Sequence, residues 1–381
     1  MKRILFIASH TSPSLSVAAL RSDFFIRELS ATGYTVEVVR DCAKSYKSIS
    51  KEKYTPAYSE YIITYSNSKI LNILRWILTL IKVFSKGSYD LCFCSGGPFF
   101  YFPIAATLSK IFNIPCVLDF RDPWIVPEIN CIIGLRQRIL FLLQNISMRF
   151  AILVINVQDE ITDAYKKLYG KLGKNDFSKF ITIRNGYIPM KLHPSQLVIH
   201  DELQSIKIVV LGKLAYYSST DCIELAKAIK ELNSKKRTVL WQFGEYESEI
   251  AYYFDHFGIP DRYINFGRVR YEEMLSKATM ADIMIVNHRT KYALGTKTYD
   301  YIYLNKPIIG MVNPDYGIHK LLERFPGYRR ARMQNDITKA IVDLVDGNEE
   351  KLYPKSIDIG QYSRKSQSEL LVSYINSILG D

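Results

Sequence analysis

The sequence lacks the phosphate-binding signatures that most often identify a chain of this size. It contains no G-x-x-x-x-G-K-[ST] and no G-x-G-x-x-G, which removes the P-loop and the usual dinucleotide fingerprint. Its six histidines form no cluster, and its six cysteines (Cys42, Cys92, Cys94, Cys116, Cys131, Cys222) show no zinc-ribbon spacing. Cys92 and Cys94 stand two apart in an apolar run, so on a strand they share one face and read as core. With no second pair and no neighbouring His, no bound metal is expected. The opening "MKRILFIASH" is not a secretory leader but an apolar strand pattern, so reduced thiols in the cytoplasm are the expectation. No run reaches the ~18 uninterrupted apolar residues that a membrane-spanning helix needs. Acid is short relative to base: 38 Asp+Glu against 50 Lys+Arg leave a net charge of +12.

What is present is a soluble globular composition, 48% hydrophobic and 23% charged, over 381 residues, the length of about two ordinary domains. The basic excess is uneven. Residues 1–190 hold 24 Lys+Arg against 14 Asp+Glu, or +10, and residues 191–381 hold 26 against 24, or +2. A basic half points to an anionic partner. Two segments of that half are amphipathic. "KILNILRWILTLIKVFSK" (Lys69–Lys86) places Ile70, Ile73, Leu74, Ile77 and Leu78 at helical spacing among Arg75, Lys82 and Lys86; with Trp76 it reads equally as a core-facing helix or as one lying on an anionic bilayer. "LRQRILFLLQNISMRF" (Leu135–Phe150) reads as a core-facing helix.

Strand and helix patterns alternate along both halves. "RILFIAS", "YTVEVVR", "YDLCFCSGG", "IPCVLDFRDPW" and "AILVINVQ" are separated by helical stretches, and after residue 203 the series restarts with "SIKIVVLGK", "RTVLWQFG", "YINFGRV", "DIMIVN" and "KPIIGMV". Such alternation predicts βαβ units and parallel sheets. The weakly periodic "IRNGYIPMKLHPSQLVIHDEL" (183–203) is the linker candidate. The expected organisation is therefore α/β, with two doubly wound Rossmann-like domains facing a central cleft. Their expected bounds are 1–187 for the first domain, 188–203 for a linker, 204–358 for the second domain and 359–381 for a C-terminal helix. Ligands of such sheets bind at the carboxyl ends of the strands.

Two loops carry the chemistry. In "GTKTYDYIYLNKPII" (295–309), Gly295 lets a ligand approach the backbone, Thr296 is a competent N-cap, and the free first-turn amides attract anions. Lys297 adds a full positive charge. Asp300, three residues on and on the same face, is placed to accept both hydroxyls of a ribose. In "VLGKLAYYSSTD" (210–221), Gly212 and Lys213 follow directly on a strand. A cation in each of two βα loops suits a diphosphate; a capped helix and a stray surface lysine are the alternative.

The helix beginning at Gly295 resembles the donor-site helix of the GT-B retaining glycosyltransferases, glycosyltransferase family 4 and its relatives, whose pattern is roughly P-S-K-x-x-E-Y-x-A-x-G-K-P-V-I. The resemblance extends through "SHTSPSLSVAALRSDFFIRELSATGYTVEVV", "VLDFRDPW", "ITIRNGY", "VVLGKLAYYSSTD" and "INFGRV". It implies that Asp300 holds the donor ribose, that Lys213 binds the diphosphate with Lys297 adding charge, and that Gly212, Gly295 and Thr296 line the donor. It places Arg268 near base or phosphate, Asp122 at a sugar-contacting position, and Ser12 and Ser14 in the loop beneath the diphosphate. Two positions depart from the family: Tyr292 stands where its first Glu falls, and Ser218 where a second cation falls.

What the resemblance implies is a hexosyltransferase-type retaining glycosyltransferase (EC 2.4) working without metal or cofactor. It implies also that 1–187 is the acceptor-side domain, that 204–358 is the donor-binding domain and that the helix in 359–381 crosses back to the first. Lys213, Lys297 and the helix amides would stabilise charge on the leaving diphosphate, and Asp122 would act on the sugar side. The expected partners are a nucleotide-sugar donor and a glycan or lipid-linked acceptor in surface polysaccharide assembly, at the inner face of the cytoplasmic membrane, with peripheral membrane contact through the basic half and no nucleic acid. The alternatives are a nucleotide-sugar epimerase of the same fold and a non-catalytic nucleotide-sugar-binding subunit.

Overall fold

A computed structural model describes residues 1–12, 17–42, 58–126, 134–192, 205–292, 294–347 and 357–380. The chain divides into two compact units: Met1–Asn185 with Arg364–Asp381, and Gly186–Ser363. Of the linker expected over 188–203, residues 193–203 lie outside the described residues.

Unit 1 is built from β1 (Arg3–Ala8), α1 (Val17–Ala31), β2 (Thr35–Cys42), β3 (Ser59–Thr64), α2 (Lys69–Lys86), β4 (Leu91–Ser95), α3 (Tyr101–Ile111), β5 (Cys116–Phe120), α4 (Leu135–Phe150), β6 (Leu153–Asn156), α5 (Asp159–Lys171) and β7 (Phe180–Thr182). Its seven strands run in the order β3-β2-β1-β4-β5-β6-β7, each pair parallel. Every residue of β4 and β5 is buried, because helices cover both faces of a parallel sheet and the central strands become continuous apolar runs. On one face Phe6 stacks on Phe93 at 4.8 Å. The same core receives Leu371, Val372 and Ile375 from the last helix, Arg364–Leu379, which packs on α1.

Unit 2 repeats the plan with β8 (Ile206–Leu211), α6 (Ser219–Leu232), β9 (Thr238–Phe243), α7 (Ser248–His256), β10 (Tyr263–Asn265), α8 (Tyr271–Ala278), β11 (Ile283–Asn287), α9 (Thr296–Leu304), β12 (Ile308–Met311), α10 (Gly317–Leu322), β13 (Tyr328–Arg330) and α11 (Gln334–Val345); the returning helix of unit 1 is then α12. The six strands are parallel in the order β10-β9-β8-β11-β12-β13. In both sheets the order reverses beside the first strand of the unit, the switch point at which doubly wound sheets hold ligands.

Two helices of unit 1 bury faces that apolar spacing alone does not single out. On α2 the buried residues are Trp76, Leu80, Val83 and Phe84, and the stripe of Ile70, Ile73, Leu74 and Leu78 is exposed. Trp76 is no surface anchor: it stacks on Tyr101 at 4.8 Å, and its indole N–H donates to the Tyr65 hydroxyl at 3.3 Å. The expectation of a core-facing α4 holds in part: the helix packs on α3. Its buried residues are Gln144, Ser147 and Met148, whereas Leu135, Ile139 and Leu142 face outward. Gln144 is drawn inward because it exchanges both amide hydrogen bonds with the Ile125 backbone, at 2.7 and 2.8 Å, a pairing that no periodicity announces. Cys92 and Cys94 are buried on one face as expected, and Cys116 on β5 joins them, the three sulfurs lying within 4.8 Å of one another.

Candidate functional site

The carboxyl ends of the unit 2 strands gather its polar residues. Where β8 ends, Gly212 takes φ 86° and donates its N–H to the Phe243 carbonyl at 2.6 Å. Gly244, at the end of β9, has φ 153°, and a Cβ there would lie 2.8 Å from Gly212 Cα. Only glycine serves where two backbones meet this closely in these conformations.

The space beside Gly212 is filled by Lys297. A methyl on Gly212 would fall 1.6 Å from Lys297 Nζ, so the ammonium lies directly against the backbone turn that leads into Lys213. Burial pushes the Lys297 pKa down from its ordinary value, Asp300 and Glu247 oppose that shift, and Lys213 adds to it by repulsion. A poorly solvated cation beside a second cation is a site that an anion would relieve.

Helix α9 starts one residue earlier than expected. Gly295, with φ −64° and ψ 148°, is the N-cap, and no side chain caps the helix; its carbonyl accepts from Thr298 N–H at 3.1 Å. Thr296 is therefore the first helical residue and not the N-cap. The reason is conformational: Gly295 already has the extended backbone of an N-cap, which places the Thr296 hydroxyl inside the first turn. The helix start thus keeps its partial positive charge without a side-chain acceptor. At the other end Asn305 closes the helix in the left-handed region, φ 50°, as Asn tolerates.

Asp300 is 4% exposed and accepts a hydrogen bond from the Tyr271 hydroxyl at 2.5 Å. Lys213, nearer the surface, stands 3.4 Å from Glu245, with its ammonium 4.4 Å from the Tyr216 ring centre. Arg268 pairs with the same Glu245, whose carboxyl is held below its usual range by Lys213 and Arg268. Glu245 is thus a shared counter-ion for two cations the sequence reading had assigned separately.

Four residues escaped the sequence reading. His288, just after β11, has its Nε2 3.3 Å from where a Cβ on Gly295 would lie, and its ring is 4.8 Å from that of Tyr217. Burial, with repulsion from Lys297, pushes its pKa down to about 4, so it is neutral at physiological pH. Glu247 holds the loop after β8: its carboxylate accepts from Leu214 N–H and Tyr216 N–H, both at 2.7 Å. Gln242 donates to Gly212 O at 2.7 Å and to Glu247 at 2.9 Å. Arg332 donates to buried Asp221 at 3.0 Å, and the Asn287 amide donates to the same carboxylate at 3.4 Å. None sits at a motif-like spacing; only their nearness to strand ends marks them in the sequence. The two family departures have structural work. The Ser218 hydroxyl caps α6, accepting from Asp221 N–H at 3.1 Å, and Tyr292 is 8% exposed.

The remaining expected site residues belong to unit 1. Ser12 donates its N–H and hydroxyl to Asp23 at 2.9 and 2.6 Å. Asp122 is exposed after β5, and Ser14 lies outside the described residues. The dominant polar feature of this sheet end is a pair the sequence did not announce: Arg21 and Asp119, 2.8 Å apart and 3% and 0% exposed. Arg21 also donates to the carbonyls of Ile183 and Arg184 at 2.9 and 3.0 Å, and Ser95 donates to Asp119 at 2.7 Å. A buried ion pair of this kind is tolerable because its hydrogen-bonding groups find partners.

Two parallel, doubly wound α/β units on one chain define the fold of the GT-B glycosyltransferases. Among solved structures, the chain is similar to HepE of Anabaena in complex with UDP and glucose, at 14% identity, covering 99% of this chain and all of that one with a TM-score of 0.70. It is similar also to sucrose-phosphate synthase of Thermosynechococcus elongatus, at 13% identity over 100% of both chains, TM-score 0.72. A third similar structure, at 10% identity over 99% of this chain and 96% of that one, TM-score 0.66, is assigned as a UDP-N-acetylglucosamine 2-epimerase from Listeria monocytogenes. No family profile and no curated protein matches the sequence.

Proposed function

We propose that the protein transfers a sugar from a nucleoside diphosphate sugar to an acceptor hydroxyl. One observation carries the reading: Lys213, Lys297 and the uncapped start of α9 meet at the carboxyl edge of the unit 2 sheet, with Asp300 one helical turn behind. Lysines and helix amides stabilise the charge that grows on a departing diphosphate, and they are effective because they are fixed before the reaction. In this reading Lys213 and Lys297 act on the leaving group, Gly212, Gly295 and Thr296 admit it to the backbone, Asp300 holds the ribose, and Arg268 guards the outer rim. Ser12 and Ser14 of unit 1 are proposed for the donor diphosphate, and Asp122 for contact with the sugar. Transfer is proposed to retain the anomeric configuration without a metal. The acceptor is proposed to be a lipid-linked glycan of surface polysaccharide assembly, handled by a hexosyltransferase-type enzyme. UDP and UDP-glucose in the names of the similar structures support a nucleotide-sugar donor.

The test is calorimetric titration with nucleoside diphosphates and their sugars against the protein and its Asp300→Asn variant. The reading expects micromolar-class binding that the variant weakens about tenfold, one lost charged hydrogen bond being worth ~1.5–3 kcal/mol. Absence of binding by any nucleoside diphosphate overturns it.

A second reading is favoured by His288. Its imidazole, neutral beside Lys297, leaves a ring nitrogen free to accept a hydrogen bond from a sugar hydroxyl, and the similarity to a structure assigned as a nucleotide-sugar epimerase supports the reading. Conversion of donor with no acceptor present identifies that activity; dependence of donor consumption on acceptor identifies transfer.

A further inference from the structure

Unit 1 carries a cavity of about 620 Å³ between α2, α3 and α4, lined by none of the residues assigned above. Ile73, Ile77 and Ile81 of α2, Ile104 of α3 and Leu140 and Leu143 of α4 form its walls, with Trp124 among the thirteen lining residues. No lining residue is charged, and Thr107 carries the only hydroxyl among them. Outside its mouth the apolar surface continues. Ile70 is 73%, Leu78 66%, Leu135 75% and Leu142 58% exposed, an apolar concentration that isolated soluble surfaces rarely carry.

Charge identifies the occupant. Four cations stand on α2 (Lys69, Arg75, Lys82, Lys86), one on α3 (Lys110) and three on α4 (Arg136, Arg138, Arg149), and the three helices contain no aspartate or glutamate. A cavity whose only hydrogen-bonding side chains are Thr107 and Trp124 offers a protein partner little to fix its register, whereas a hydrocarbon chain needs none. A cation-only rim around an apolar face complements negatively charged headgroups. The volume is that of a single-ligand pocket, too small for a second folded element.

We propose that this face docks on an anionic bilayer and that the pocket takes one hydrocarbon chain of a bilayer phospholipid while the surrounding lysines and arginines meet the headgroups. The assignment rests on unit 1 alone and stands whether or not the donor reading holds. It gives the basic half of the sequence its partner, and it assigns membrane contact to Ile70, Leu78 and the pocket instead of Trp76.

Trp124 allows a direct test. The full-length protein is mixed with phosphatidylcholine vesicles with and without phosphatidylglycerol, in parallel sets with brominated acyl chains, and binding is followed by flotation and tryptophan emission. Binding to the phosphatidylglycerol vesicles alone, with brominated chains quenching emission in the native protein and not in Trp124→Phe, supports the proposal. Lys82→Gln and Lys86→Gln should each weaken partitioning about fivefold, the equivalent of ~1 kcal/mol per cation near the surface. Lys297→Ala should bind vesicles as the native protein does, which separates this result from the fate of the donor site. Equal binding to neutral vesicles, binding without Trp124 quenching, or a Trp124 emission shift on adding a short-chain prenyl phosphate while vesicles fail to bind would each overturn it.

Discussion

Lys297 Nζ occupies the space that any side chain at Gly212 would need. The nearest loop of β8 and the first turn of α9 are therefore interlocked through one ammonium and one missing Cβ.

Gly212→Ala tests the interlock. The new methyl strikes Lys297 Nζ, and the φ of 86° costs a non-glycine residue roughly 1–2 kcal/mol. The expected outcome is a modestly lowered Tm together with a nucleoside diphosphate affinity reduced at least tenfold. Unchanged affinity would show that the position of Lys297 is immaterial to binding.

Lys213→Ala and Lys297→Ala should lower turnover on the order of 10²-fold, the scale for removing one fixed donor from a developing oxyanion, while leaving thermal stability nearly unchanged. Lys297 is disfavoured by its own burial and by Lys213 and favoured by Asp300 and Glu247, so its removal exchanges a desolvation cost for a lost counter-charge. Parallel loss of Tm and rate would make both lysines structural.

Glu247→Gln should act through the loop and not through the ligand. The carboxylate accepts two backbone N–H groups and the Gln242 amide, and an inserted amide leaves one donor facing another, at about 1–3 kcal/mol. The expected signature is a raised KM for donor with a smaller change in kcat, and Glu247→Asp should recover part of it. An unaffected KM would remove Glu247 from the positioning of Lys213.

His288 predicts a pH dependence of stability. Its folded pKa of about 4 lies below the ordinary value near 6.5. Above pH ~6.5 the residue is neutral in both states and contributes no difference. As pH falls from there towards 4, the unfolded chain takes up the proton first, so stability is lost progressively across that window and no further below it. Replacing His288 by Gln should flatten the fall in Tm between pH 7 and pH 4.5, measured against the native protein. Parallel curves would show the imidazole to be solvated.

The sequence carried the fold well because strand alternation is a repeated signal. The βαβ series, both parallel sheets and the helix at Thr296 follow from apolar runs bounded by Gly, Asn and Pro. The convergence of Gly212, Lys213, Lys297 and Asp300 on one sheet edge was legible for the same reason, since parallel strands deliver their following loops to a common end. What stayed hidden are contacts between loops distant in sequence: Glu245 shared by Lys213 and Arg268, Glu247 beneath Leu214, Arg21 on Asp119. Periodicity misled on α4, because an amphipathic pattern states that one face is apolar and not what that face meets. On α4 the polar Gln144 turned inward and Leu135, Ile139 and Leu142 turned out. Thr296 misled in a smaller way: cap residue preferences shift by one position when a glycine precedes them.

The return of α12 reverses the order of synthesis and completion. Leu371, Val372 and Ile375 seal the interior formed by Phe6, Val38 and Phe93, so unit 1 is finished by a helix made after unit 2. On the ribosome, Gly186–Ser363 emerges as an uninterrupted folding unit while its predecessor still waits for a wall. A premature stop upstream of Arg364 would thus release a protein whose second half is sound and whose first half exposes an apolar seam to chaperones and proteases.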